Sequence, residues 1–188
     1  MSAALLPSIH AQALLTAWLR VRLDLMPRSA LTEAADQIIT ALEIPSDLLF
    51  EISLAQSSPL AHLTRSLTTL TAGADHVLAC YTIVRDERAR IASGERQWYP
   101  FFDALRRVLD DAPGPNRFSE AARAALVFYE TVDCESPDPA MRADAESLGR
   151  DYLLRLIDRT VPTDFTEGAA EIDVFAATNA LYEGRVPS

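Results

Sequence analysis

With 188 residues, 49% of them hydrophobic and 23% charged, the chain is long enough to bury a full core and too apolar for a disordered polymer. Only six glycines, set against abundant Ala and Leu, favour helices over turn-rich sheets. A net charge of −10 with no basic stripe excludes a footprint for a phosphate backbone, so no nucleic-acid partner is expected.

After Pro7, the apolar positions Ile9, Leu14, Leu15, Trp18, Val21 and Leu25 recur at helical spacing, with Ser8 as the N-cap and Pro27 as the stop. The first arginine is Arg20, and Pro7 and His10 interrupt the early apolar stretch, so no targeting leader is expected. A second helix is predicted over about 30–43, with Leu31, Ala35, Ile38 and Leu42 on one face and Pro45 as its breaker. Ser46 caps a short third helix through Leu48, Leu49, Ile52 and Leu54. Ser58 followed by Pro59 marks the next start, with Leu60, Leu63, Leu67 and Leu70 behind it, and Gly73 bends or divides that element.

From Ala74 to Val84 the pattern is apolar nearly all round, which places this helix at the centre of a bundle. The charged stretch 85–90 then brings its end into solvent, with Asp86 and Arg90 as an i,i+4 pair. Trp98, Tyr99, Phe101, Phe102, Leu105 and Leu109 form the next element, and 112–116 is the clearest loop. Ser119 caps a helix through Ala122, Leu126 and Tyr129. Asp138 then Pro139 repeat the cap-then-proline signal, ahead of Met141, Ala145, Leu148, Tyr152 and Leu156 at helical spacing. Steps from Glu146 to Arg150 and from Asp151 to Arg155 mark the outer face of that helix. A last helix is predicted over about 166–182, presenting Ala169, Ile172, Phe175 and Ala176. The reading is an all-α single domain over 1–188, with eight or nine helices around a buried central helix at about 74–84.

All 17 basic side chains are arginine, and lysine is absent. A GC-rich coding bias accounts for this and for the presence of only Asn116 and Asn179; selection against surface amines is the alternative. The acidity is concentrated late: residues 1–129 hold 14 acids and 12 arginines, residues 130–188 hold 13 and 5. The longest apolar run, 77–84, is far below the ~20 residues that span a bilayer, so no membrane partner is expected. Cys80 lies in that run and forms no CxxC pair with Cys134, which favours a reducing, cytoplasmic setting.

Candidates for chemistry are few. His76 and Cys80, at i,i+4 on one helix, are the weak metal candidates; with no HExxH or CxxC pattern beside them, neither a metal nor a cofactor is expected. No Ser-His-Asp arrangement, glycine-rich phosphate loop or dinucleotide fingerprint occurs. The densest feature is Trp98, Tyr99, Phe101 and Phe102. Five consecutive positions point in every direction around a helix, so part of this cluster is expected at a pocket mouth or on an exposed patch.

The leading functional expectation is therefore a non-enzymatic helical interaction module. It would act as adaptor, inhibitor or chaperone and bind a protein partner, or a second copy in a homodimer, through Trp98, Tyr99, Phe101 and Phe102. The alternative is a small-molecule or cofactor-binding helical domain, or an enzyme, with an aromatic-lined cavity.

Overall fold

The computed structural model describes residues 6–55, 58–110, 116–166, 168 and 172–185. Among these residues every regular element is helical and no strand occurs, as the sequence predicts. The chain divides into two compact units, 1–80 and 81–188.

The first unit holds α1 (Ser8–Arg22), α2 (Ser29–Ala41), α3 (Asp47–Ser53) and α4 (Leu60–Leu70). Each packs on the next, and α1 also packs on α4, which closes the set around a shared interior. Leu14, Leu15, Leu31, Leu49, Ile52 and Leu67 are fully buried there. All of these were legible as apolar positions at helical spacing. The ends of the elements follow different chemistry from the prediction. Ser8 is the first helical residue of α1, and its N-cap is Pro7, with no side-chain cap bond. Nor does α1 run to Pro27. It closes at Leu23, where Asp24 takes φ +53° and the Leu25 N–H donates to the Arg20 carbonyl at 2.9 Å, a Schellman closure. The cap of α4 is likewise Pro59 and not Ser58. Ser46 does cap α3, accepting from the Leu48 N–H at 3.3 Å.

Helix α5 (His76–Ala92) starts in the first unit and ends in the second. The Gln12 side chain ties its start to α1, donating to the Asp75 carbonyl and accepting from the Asp75 N–H at 2.8 Å. The expectation that this helix is buried on all sides over 74–84 is not met. Leu78 is 45% exposed and His76 is exposed. The buried positions, Ala79, Cys80, Ile83, Val84, Glu87 and Ile91, recur at helical spacing along one face. An apolar pattern identifies side chains that tolerate burial, but does not say how many neighbours will arrive to cover them.

In the second unit, α6 (Trp98–Asp110), α8 (Pro139–Arg159), α9 (Val174–Tyr182) and a 3-10 turn (Pro162–Phe165) all pack on α7 (Arg117–Glu135). This helix is the hub of the unit. Ala121, Ala122, Ala124 and Ala125 are buried on it, and their small side chains let neighbouring helices approach closely from more than one side. Its N-cap is Asn116, whose Oδ1 accepts from the Ser119 N–H at 2.8 Å; Ser119, predicted as the cap, is the residue being capped. Asp138 caps α8 as predicted, accepting from the Ala140 N–H at 2.9 Å. The last helix is shorter than expected. It begins at Val174 under an Asp173 cap, and Thr166 and Ile172 lie outside it. Ala169 and the expected loop at 112–115 fall outside the described residues.

Helix α5 is clamped to α8 within this unit. Arg88 binds Asp158 through Nε–Oδ1 at 2.7 Å and a second bond at 2.8 Å, and Arg85 donates to the Ile157 carbonyl at 3.3 Å. Arg90 pairs with Glu87 and Glu95, each at 3.1 Å, so its partners lie three positions before and five after it. Arg96 also reaches the buried Glu87, at 3.0 Å, and its N–H donates to the Arg90 carbonyl; together these bonds fix the reversal from α5 into α6.

Candidate functional site

The aromatic cluster on α6 belongs to the core of the second unit. Trp98, Phe101 and Phe102 are 4%, 2% and 0% exposed; Tyr99 alone is half-buried. The expectation of an exposed aromatic patch overlooked the phase of the helix. Positions 98, 101 and 102 are i, i+3 and i+4 and share one face, while Tyr99 and Pro100 take the outer positions. The Trp98 ring meets Tyr129 edge-on, with ring centres 5.2 Å apart. Gly149 of α8 makes room for it: a Cβ there would lie 2.9 Å from the indole Cη2. Phe101, Phe102, Phe118 and Phe165 continue the aromatic run from α6 through α7 to the 3-10 turn, with successive centres 5.0, 6.1 and 4.7 Å apart. The Tyr99 hydroxyl donates to Glu130 Oε1 at 2.5 Å, which occupies its polar end.

His76 and Cys80 sit on successive turns of α5, the first exposed and the second buried. Burial pushes the Cys80 thiol up to about 11, so the thiolate that a metal requires is disfavoured at neutral pH. Among the described residues no group of three or more His, Cys, Asp or Glu side chains is placed to hold a metal ion. Cys80 and Cys134 are both free thiols. Among the same residues no helix is long and apolar enough to cross a membrane.

A small, enclosed concavity lies elsewhere, between the start of α7, the last turns of α8 and the 3-10 turn, with a volume of about 100 Å³. On α8 it is lined by Tyr152, Arg155, Leu156, Arg159 and Thr160. These positions are i, i+3, i+4, i+7 and i+8, so a single face of the helix supplies them all. Arg117 and Phe118 face them from α7, and Ile172 completes the apolar wall. A wider cleft of about 380 Å³ adjoins, sharing Arg117, Tyr152 and Ile172.

Local bonds hold this lining in place. Phe118 is fully buried and stacks on Phe165 with centres 4.7 Å apart. The Ile172 N–H donates to Glu120 Oε2 at 3.1 Å, which ties that segment to α7. Thr160 Oγ1 donates to the Leu156 carbonyl at 2.7 Å and so serves the end of its own helix. Asp164 accepts from the Val161 N–H at 2.9 Å and stands 3.7 Å from Arg117.

Tyr152 is different. It is 5% exposed, it lines both concavities, and its hydroxyl makes no hydrogen bond among the described residues. Burial pushes this phenol up to about 12, with Arg117 pulling the other way, so it stays a neutral O–H donor at ordinary pH.

Sequence reasoning missed this site for a specific reason. Tyr152 and Leu156 read as core, and Arg155 read as the surface partner of Asp151. In the structure it is Arg150 that stands by Asp151, at 3.8 Å, and Arg155 lines the cavity. A signal was present: arginines at 155 and 159 flank Leu156 on the face already marked by Tyr152. The chain matches no protein-family model, no curated protein and no solved structure.

Proposed function

We propose that this chain is a small-molecule-binding α-helical domain whose site is the cavity between α7, α8 and the 3-10 turn. The observation that carries the reading is the Tyr152 hydroxyl, a donor in a residue 5% exposed, on the wall of the cavity and without a partner among the described residues. A guest with an acceptor group takes the hydrogen bond this hydroxyl offers, and the Phe118, Leu156 and Ile172 walls take its apolar part. The reading includes a reducing, cytoplasmic setting, which the buried free thiol of Cys80 supports.

The test is a thermal-shift and ligand-observed NMR screen of the full chain at neutral pH against small organic anions, cations and neutral compounds. The expected result is a subset that raises the melting temperature, with weakened binding in Tyr152→Phe. If no compound of any charge binds, the proposal fails.

A protein-interaction role is the second reading. It rests on α9, which presents Phe175 and Tyr182 seven positions apart, 76% and 50% exposed. Trp98, Phe101 and Phe102 offer it no surface.

A further inference from the structure

We infer that the guest is a small monocarboxylate with a compact apolar body, its carboxylate received by Arg117, Arg155 and Arg159 at the cavity mouth; this rests on the small-molecule reading above. The charge pattern is what singles out an anion. Among the described residues the cavity lining holds three arginines and one acid, Asp164, in a chain whose net charge is −10. The contrast is sharper along the acidic C-terminal stretch. Of the five arginines after residue 130, Arg142, Arg150 and Arg185 each stand beside an acid, namely Asp133, Asp151 and Glu183. Arg155 and Arg159 form no ion pair among the described residues, and both line the cavity. They are one helical turn apart on α8, so both guanidinium groups approach one mouth.

Guanidinium forks match a planar carboxylate in bidentate fashion. Arg117 is the first residue of α7, so the positive end of that helix adds to the same field. The Tyr152 O–H supplies a neutral donor beside the cationic rim.

The body of the guest follows from size and lining. Phe118, Leu156 and Ile172 form an apolar wall, which excludes a bare inorganic anion as the best fit. At about 100 Å³ the cavity is smaller than the roughly 150 Å³ that holds benzene in an apolar protein interior. A branched chain of a few carbons, or one phenyl ring reaching into the adjoining cleft, is the upper limit.

The experiment is calorimetric titration of the full chain with benzoate and 3-methylbutanoate, with their uncharged amides, and with inorganic phosphate. Both carboxylates are expected to bind, and each amide to bind at least tenfold more weakly. The double variant Arg155→Gln/Arg159→Gln, at two exposed positions, is expected to keep its thermal melt and lose at least tenfold in carboxylate affinity. Amides that bind as well as the acids overturn the carboxylate assignment and leave the small-molecule reading standing. So does carboxylate affinity unchanged in the double variant, or phosphate that binds as tightly as benzoate. Failure of both carboxylates alongside hits among neutral or cationic compounds in the screen has the same meaning. Failure of every compound overturns both.

Discussion

Trp98 illustrates how much a single residue's meaning depends on where its face points. On an exposed patch, Trp98→Ala would remove a partner contact and leave the fold intact. Buried at 4% exposure between Tyr129 and Gly149, the indole is part of the packing of the second unit. Its removal is expected to cost about 3–5 kcal/mol, the range for truncating a buried large aromatic. A urea titration followed by far-UV circular dichroism reads this directly, and a loss below about 1 kcal/mol would contradict the burial. The Arg88–Asp158 pair makes a second prediction, in pH. The Arg88 hydrogen bond, aided by its charge, holds the Asp158 carboxyl below the usual carboxylate range. A depressed folded value means that the stabilisation is complete above the unfolded carboxyl range and fades as pH falls through the folded value. Asp158→Asn is therefore expected to melt below the parent at pH 7, with the gap closing as pH drops below about 4. Thermal melts across that range check it; a gap constant with pH would show that the pair contributes nothing through its charge.

At the scale of elements, helix existence was readable and helix ends were not. The period of Leu and Ile in α1, α2 and α4 survives any choice of boundary, because a face of a helix is averaged over several turns. A cap is one hydrogen bond, and Ser8, Ser58 and Ser119 each lost that position to a neighbour. Asn116 against Ser119 is the instructive case. Both residue types cap well, and only the observed bond from the Ser119 N–H to Asn116 Oδ1 decides between them. Asn116→Ala is expected to destabilise the protein by about 1–2 kcal/mol, the upper part of the capping range because Asn116 is buried. Ser119→Ala is expected to cost less, since its hydroxyl caps nothing. Paired chemical denaturation curves test this, and the reverse order would return the cap to Ser119. The final helix was overextended for a related reason: apolar residues at 172 and 175 fit a helical period, but Asp173 starts the helix by capping Ala176.

For the whole molecule, α5 is the element that bears on cooperativity. It spans residues 76–92 and so contains the point at which the chain divides, and a helix melts cooperatively along its length. A single thermal transition is expected by circular dichroism at 222 nm. Thr82→Pro removes a ladder donor beside the division, at a cost of about 3 kcal/mol, and is expected to separate the transition into two. Two transitions already present in the parent would overturn this coupling.

By itself the sequence determined that this is an all-α protein, which residues have helical apolar faces, and that the chain is acidic and free of lysine. Those properties are local or additive, so one strand of text contains them. Only the tertiary structure decided that α7, and not the apolar run at 77–84, is the hub of its unit. The same holds for the aromatic cluster, which turns inward, and for Tyr152, Arg155 and Arg159, which meet Arg117 across a cavity. Burial and convergence depend on which other helices arrive and from which side. That arrangement is set by side chains far apart in the chain, and no spacing within a single helix records it.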